Sequence, residues 1–576
     1  MHLARRPVLR SDHLPEDLHP VLRRIYAARH VSSAAELDYS LQGLLPFTSL
    51  LGMERAVALL AAALRQQKCL LIIADYDADG ATACAVAMRG LGLLGFEDVH
   101  FLVPNRFAYG YGLSPEIVEA AAELGPDLII TVDNGIASSE GVALARKMGM
   151  EVLITDHHLP GAGLPGASAI VNPNQPGDNF PSKHLSGVGV MFYILVALRS
   201  HLRAQNWFAT RNLPEPNLAV LLDLVALGTV ADVVPLDRNN RILVAQGLKR
   251  IRSGRCCAGI SALLAVANRA LSRATTQDLS YAVAPRLNAA GRLTDMALGI
   301  ECLVADEEGL AQEMAQELDQ LNKERRDIQT EMQVQAEAHL DELGLDEKTL
   351  PNASCLYHPL WHPGVVGVLA GRLKERLHRP VIVFARDKEG LIKGSARSIA
   401  GVHIRDVLET IANRHPDLIE KFGGHAMAAG LTLHEAHLER FRALFHEAVT
   451  PLLTPESLQG TVYTDGSLAT DDLGLELAEQ IAEAGPWGQG FPEPLFDGEF
   501  LLQGSRVVGE RHLKLDLRTP DRGRRLGAIA FNCTGEGWPQ DVERVRLAYR
   551  LGVNDYGGRR ELQLVVEHIV PLKDSD

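Results

Sequence analysis

Residues 75–80 read Asp-Tyr-Asp-Ala-Asp-Gly, directly after the apolar run Leu70–Ala74. Carboxylates at every second position share one face while a strand continues, and three of them repel unless a cation neutralises them. Two more polar clusters close apolar runs: Asp133-Asn134-Gly135 after Leu128–Val132, and Asp156-His157-His158 after Val152–Ile154. Taken singly, Asp133 is the kind of residue that caps the helix following a strand. Taken together, several carboxylates with one or two imidazoles and no thiolate suit a hard divalent cation, Mn²⁺ or Mg²⁺, better than structural zinc. Five or six ligands exceed the needs of one open ion. Two ions ~4 Å apart, bridged by a shared carboxylate such as Asp133, would use them, generating a hydroxide and stabilising the pentacoordinate charge of an in-line attack at phosphorus. The expected chemistry is phosphoester hydrolysis.

The elements that must position these residues follow from the same runs. Cys69–Ala74, Val99–Val103, Leu128–Val132 and Val152–Ile154 alternate with Ala-rich helical stretches, which predicts parallel strands with crossover helices in a doubly wound α/β sheet. Ligands of such open sheets bind beyond the carboxyl ends of the strands. Those ends carry the acidic run, then Asn105-Arg106, then Asp133, then the Asp156 triplet. From Asp306 to Leu343, Leu310, Met314, Leu318, Leu321, Ile328 and Met332 recur at helical spacings among Glu, Gln and Lys. One amphipathic helix is expected there, spanning about 50 Å at 1.5 Å per residue, enough to connect two bodies. A second α/β segment follows over 355–448, with a Pro380–Phe384 strand and a Gly423-Gly424-His425 turn. Beyond Pro451, strands are expected at Phe500–Val508, His512–Leu517, Arg525–Phe531, Arg546–Val553 and Glu561–Val570, a number that suits a barrel of the OB type. The expected domains are an N-terminal helical segment (1–50), the first α/β body (51–303), the connecting helix (304–346), the second α/β body (347–450) and the barrel (451–576).

Length and composition agree with that plan. The 576 residues are too many for one core, and 46% hydrophobic with 22% charged residues is the make-up of a globular chain rather than a fibre or a disordered one. The net charge of −15 argues against nonspecific coating of nucleic acid or an anionic membrane, unless the charge is uneven. It is uneven. Residues 306–342 hold 12 acidic against 3 basic side chains, whereas Arg506, Arg511, Lys514, Arg518, Arg522, Arg524 and Arg525 stand against only Glu510, Asp516 and Asp521. The barrel is therefore where a polyanion is expected to bind, although basic residues also protect an exposed strand edge. The seven cysteines form no CxxC pair, which fits a reducing compartment. No signal peptide and no apolar span of ~18 residues is expected, so a cytoplasmic protein without membrane contact is the reading.

At this level of detail the chain resembles a known family. The run 75–80, the Asp156-His157-His158 triplet and Gly423-Gly424-His425-Ala-Met-Ala-Ala429-Gly430 look like the DHH phosphoesterases with their DHHA1 partner domain. The order of motifs along nearly the whole chain is most similar to the bacterial single-strand-specific 5′→3′ DNA exonucleases. Further matching segments are Pro285-Arg286-Leu-Asn288-Ala-Ala-Gly291-Arg292, Trp361-His362-Pro363-Gly364, Gly394-Ser395-Ala-Arg397-Ser398 and Gly485-Pro486-Trp487-Gly488. The resemblance implies Asp75, Asp77, Asp79, Asp133 and His157 as metal ligands, with His158 and Asp156 in the catalytic role. A further aspartate completes the family's site, either Asp223 or Asp232; Asp232 is preferred because Leu227–Ala231 reads as a strand that ends in it. One departure is Asp133-Asn134-Gly135, where many relatives have Cys or Ser in the middle.

For substrate, Arg106, Tyr109 and Tyr111 could pair a phosphate and stack bases, Arg286, Asn288 and Arg292 flank a small-residue turn, and Ser395 with Arg397 resembles an anion cradle. His362, Arg372, Gly423, Gly424 and His425 complete the expected substrate residues. The resemblance implies two divalent cations as cofactors, single-stranded DNA as substrate, a monomer, and a helicase or single-strand-binding protein as partners. Two rivals remain: a DHH phosphodiesterase of short oligoribonucleotides, cyclic dinucleotides or pyrophosphate, which would lack a C-terminal barrel, and a replication scaffold without chemistry.

Overall fold

The computed structural model describes residues 2–8, 12–104, 112–161, 163–342, 351–387, 390–454, 457–458, 460–509, 512–521, 523–531, 533, 542–554 and 560–572, with the side chains of 339–342 excepted. The chain forms two compact units, one over Leu3–Gly291, Asp295–Asp319 and Tyr463–Asp576, the other over Arg292–Thr294 and Gln320–Val462 with the first two residues.

In the first unit, strands β1 (Leu70–Ala74), β2 (Val99–Leu102), β3 (Leu128–Val132), β4 (Glu151–Thr155) and β5 (Ala169–Val171) make one sheet in the spatial order β2-β1-β3-β4-β5. Every neighbouring pair is parallel. β1 and β3 are buried at all positions, which is why their sequences are unbroken apolar runs and not alternating ones. After β2 the chain returns past β1 and lays β3 on the other side, so the strand order reverses between β1 and β3. That reversal opens a crevice at their carboxyl ends.

Helix α1 (Ala78–Leu94) follows β1 and packs against α2 (Gly187–Ala204), so tightly that a Cβ on Gly90 would stand 2.2 Å from the Leu195 side chain. By length and composition α2 is apolar enough to cross a membrane, contrary to the expectation that no such span exists; 67% of it is buried inside this unit, where Val188, Met191 and Leu195 are core residues. Two segments depart from their expected conformation. Leu227–Ala231 is the end of helix α3 (Leu222–Ala231), not a strand, and Pro285–Arg292 lies in helix α4 (Ala284–Leu293), not in a turn. The first of these is apolar all round and buried from Leu222 to Val230, a pattern in which neither helical nor strand periodicity is visible. Among the described residues, the first 50 hold a short strand, His2–Arg5, one helix of eight residues and three short 3₁₀ turns.

Five antiparallel or parallel strands close a barrel in the same unit: β11 (Phe496–Val508), β12 (His512–Arg518), β13 (Arg525–Ala530), β14 (Arg544–Asn554) and β15 (Glu561–Leu572). The barrel runs β11-β12-β13-β15-β14, closed by the β11–β14 pair and by the parallel β13–β15 pair. Strand alternation turns Leu513, Leu515 and Leu517 inward and leaves Lys514, Asp516 and Arg518 outside.

The connecting helix α5 (Glu308–Glu342) starts in the first unit and enters the second at Gln320. There Met332 and Ala336 join a core with Leu356, Trp361 and Leu369, and Trp361 Nε1 donates to Gln335 Oε1 at 2.8 Å. The second unit's sheet contains β6 (Ser354–His358), β7 (Val381–Arg386), β8 (Leu391–Arg397), β9 (Lys421–Gly424) and β10 (Ala428–His434) in the order β9-β10-β8-β7-β6. Helix α6 (Val366–Leu377) packs on β7 and β8.

Candidate metal centre

Asp75 leaves β1 and Asp133 leaves β3, so the reversal of strand order sets their carboxylates side by side. Asp77 does not continue the strand. It is the N-cap of α1, its Oδ1 accepting from the amides of Asp79 (2.9 Å) and Gly80 (3.0 Å), so the acidic run turns from strand into helix and its carboxylates converge around that turn and not along a strand face. Asp79, in the first turn of α1, accepts from Gly187 N (2.6 Å) and Val188 N (3.0 Å) at the start of α2. Only glycine fits at 187, where a Cβ would lie 2.6 Å from Asp133 Oδ1.

Asp156 follows β4 and is 1% exposed. Its Oδ1 accepts from His157 N (2.7 Å), His158 N (3.0 Å) and His158 Nδ1 (2.7 Å), while Oδ2 accepts from Ile136 N (2.9 Å). It shapes the turn and orients the His158 ring. His157 Nε2 lies 3.1 Å from Asp133 Oδ1 and 3.5 Å from Asp232 Oδ2. Asp232, at the C-terminal end of α3, thus reaches the cluster from a helix. Asp223, the other candidate, points elsewhere and accepts from Cys257 N at 2.7 Å.

Three overlapping sets of donor atoms lie within 4.8 Å of one another: Asp75 with Asp77 and Asp133, Asp133 with His157 and His158, and Asp79 with His157 and Asp232. Burial, and then the charge of Asp77, push the carboxyls of Asp75 and Asp79 up, Asp79 to about 7. Burial and the surrounding aspartates raise Asp133 and Asp232 in the same way. Asp156 is the exception: burial acts to raise it, but the bond and charge of His158 hold it below its ordinary value. In return, although burial opposes its charge, His158 is pushed up to about 9 by Asp156. A buried set of carboxylates that cannot all ionise together fits a pair of hard cations, whose charge would remove the conflict.

A profile of the DHH family, N-terminal domain, matches residues 69–229, the DHHA1 domain matches 352–450 and the RecJ OB domain matches 464–568. The chain is 52% identical over 571 residues to the single-stranded-DNA-specific exonuclease RecJ of Salmonella typhimurium, covering 99% of both chains. It belongs to the RecJ family. Among solved structures, RecJ of Thermus thermophilus in complex with Mn²⁺ superposes with a TM-score of 0.82 at 30% identity, over 99% of this chain and 80% of that one. The Mg²⁺ complex of the same protein gives 0.76 at 28% identity, over 99% and 79%.

The described RecJ-family motifs outside the cluster are shared between the two units. Arg106, Tyr109 and Tyr111 lie outside the described residues. Asn288 and Arg286 are used inside the first unit: Asn288 Oδ1 accepts from Ala78 N (2.8 Å) in the turn of the acidic run, and the buried Arg286 pairs with Asp319 at 2.7 Å. Arg292 is half-buried in the last turn of α4. In the second unit, Arg397 Nη1 donates to Ser395 Oγ (3.1 Å) and to Ala396 O (2.8 Å). Burial lowers the pKa of Arg397, and it has no carboxylate partner among the described residues. The first turn of α6 presses on this pair, since a Cβ on Gly367 would stand 3.0 Å from Ser395 Oγ. The hairpin with Gly423, Gly424 and His425 lies at the same end of the sheet, because Ala428 pairs with Arg397; Gly424 there has φ +138°. His362 Nδ1 accepts from Gly364 N (3.1 Å), and Arg372 is exposed on α6.

Sequence reasoning missed the amides that hold the cluster. Asn134 is fully buried, and its Nδ2 donates to Ile73 O (3.0 Å) and Val132 O (2.9 Å), tying the ends of β1 and β3 together. Asn172 and Asn174, just past β5, donate to His158 O (2.9 Å) and His157 O (2.6 Å). The signal was present as amides at strand ends beside the acidic motifs, but a carboxamide has no chemistry of its own to draw attention.

Proposed function

We propose that this RecJ-family chain is a metal-dependent exonuclease that hydrolyses single-stranded DNA from its 5′ end and releases mononucleotides. The observation that carries this reading is the overlap of three donor groups at the crevice between β1 and β3, with Asp133 and His157 each belonging to two of them. Asp75, Asp77, Asp79, Asp133, His157 and Asp232 would hold two Mn²⁺ or Mg²⁺ ions. When bound, these activate the attacking water and offset the charge that builds on phosphorus.

The chain's own groups do the rest. Asp156 holds His158 in its cationic form near neutral pH, since that ring is pushed up to about 9. A cationic imidazole beside the metal centre can stabilise the phosphate under attack. Asp156 is a positioning residue here, because both of its oxygens already accept bonds. Support for the 5′ polarity comes from the family resemblance and from Arg397 with Ser395, a partly buried cation whose counter-charge a terminal phosphate would supply. The closed barrel is a feature the short-substrate phosphodiesterases lack. A monomer working in the cytoplasm, supplied by a helicase and a single-strand-binding protein, completes the proposal.

The test is incubation of the purified protein with Mn²⁺ and single strands labelled at either end. Early release of the 5′ label as a mononucleotide is the expected result. Earlier release of the 3′ label would reverse the polarity, and faster hydrolysis of dinucleotides than of long strands would replace the reading with a phosphodiesterase.

A further inference from the structure

Tyr281 is 76% exposed, although it sits inside the unit that builds the metal cluster. It lies in a six-residue π-helical turn, Asp278–Val283, that leads directly into α4. Such turns carry an extra backbone residue, cost stability, and recur at functional sites. The neighbouring segment is strained too. Val233, the residue after Asp232, has φ +60° and is 60% exposed. A β-branched residue in the left-handed region is a true outlier that persists only where its surroundings enforce it.

The two segments are joined, because Ser280 Oγ donates to Val230 O at 3.0 Å. Val230, Val233, Thr276 and Tyr281 line one cleft of about 1170 Å³, together with Lys249 and Trp487. Immediately before Val233 in the chain, the Asp232 carboxylate faces His157 at 3.5 Å. An exposed ring and an exposed aliphatic side chain thus share one cleft, Val233 directly following the cluster's Asp232 in the chain and the turn of Tyr281 bonded to Val230, two residues before that aspartate. Neither contributes a ligand, and neither packs a core.

We propose that Tyr281, in the cleft it shares with Val233, is a stacking platform for a nucleobase of the single strand near the scissile phosphate. A base offers an apolar face of the right size whatever its identity, so such a platform would hold the strand without reading its sequence. It would also position the phosphate between the metal ligands by fixing the base next to it, which is how orientation enters the rate. The inference rests on the exonuclease reading above.

The experiment compares wild-type protein with Tyr281→Ala and Tyr281→Phe on 5′-phosphorylated strands that are intact or carry one abasic residue, moved stepwise through the first positions. Wild type is expected to lose about tenfold or more in kcat/KM when the abasic residue occupies one particular position. Tyr281→Ala should lose about ten- to a hundredfold on intact strands, the range for one stacked base, and show no further loss at that position. Tyr281→Phe should stay within about threefold of wild type, because the ring face is kept. Mn²⁺ binding by calorimetry should be equal in all three, since Tyr281 holds no ion. Tyr281→Ala within twofold of wild type on intact strands, or a full abasic penalty retained in that variant, would overturn the platform. Failure of the exonuclease reading shows separately, as absence of cleavage by the wild-type protein.

Discussion

Two charged regions of this chain are built on opposite plans. The metal cluster gathers carboxylates of the same sign in the interior, where Asp75, Asp79 and Asp133 are at most 6% exposed. The barrel gathers cations on its outside, where Arg506 faces Lys514 across one strand pair and Arg518 faces Arg525 across the next. In the interior, like charges cannot be screened, so protons or metal ions must resolve the repulsion and each group is worth a great deal. On the barrel, water and salt dilute the same repulsion over ~8–10 Å, so each cation contributes a little and the face acts as a sum. A buried cluster is therefore suited to chemistry at one phosphate, and a solvated face to holding a chain of them.

Four measurements can break or sharpen that contrast, beginning with the largest effect. Asp133→Ala should reduce turnover by at least about three orders of magnitude, the scale of the several kcal/mol that a metal supplies to a phosphoryl transition state. In chelator the variant should melt at the same or a higher temperature than wild type, because one repelling charge is gone. Activity within tenfold of wild type would remove Asp133 from the metal site.

The second concerns pH. For the raised carboxyls, the folded state keeps protons that the unfolded chain has lost, so the stability of the metal-free protein falls as pH rises from about 4. For Asp79 that fall ends near its folded value of about 7. Added Mn²⁺ should thus raise the melting temperature more at pH 8 than at pH 5. An equal rise at both would mean that cation binding does not draw on this conflict.

Third, Asn134→Ser should weaken Mn²⁺ binding about 10–100-fold, the usual cost of losing a group that orients metal ligands. A serine hydroxyl cannot donate to both Ile73 O and Val132 O, so the ends of β1 and β3 would be released. Calorimetry giving unchanged affinities would show that the strands hold register without the amide. The smallest effect belongs to the barrel. Lys514→Ala or Arg518→Ala should lower affinity for a long strand only a few-fold at moderate salt while making the salt dependence shallower by about 0.7 per charge, the single-strand increment. A hundredfold loss from one of these would make the barrel a specific pocket, like the interior site, and dissolve the contrast.

Much of this was legible in the residues themselves. Leu70–Ala74 and Leu128–Val132 are buried parallel strands, and such strands show as unbroken apolar runs. All five barrel strands stand within a few residues of their expected positions, because one wet face imposes alternation. Two of the departures have separate physical origins. The Asp75–Asp79 run was expected to stay extended, but Asp77 caps a helix; Leu227–Ala231 was expected as a strand, but lies in α3. Leu227–Val230 is buried from every side, so local periodicity carries no information there. In the acidic run, by contrast, Tyr76 and Asp77 are only partly buried, and the turn is set by the amides of Asp79 and Gly80 donating to Asp77 Oδ1.

The sequence by itself determined the donor types, the order of the elements, the long helix and the barrel. Each of these is written in local composition and spacing, which a single segment expresses without its neighbours. Only the tertiary structure decided that β3 lies beside β1, and hence that Asp133 meets Asp75. It also chose Asp232 over Asp223 as the carboxylate beside His157, and set Asn134 across the two strand ends. Strand order and helix approach depend on contacts between segments far apart in the chain, such as Asp75 with Asp133 and Asp79 with Asp232. Those contacts leave no mark in the local pattern of either partner, because each segment alone would look the same in another arrangement.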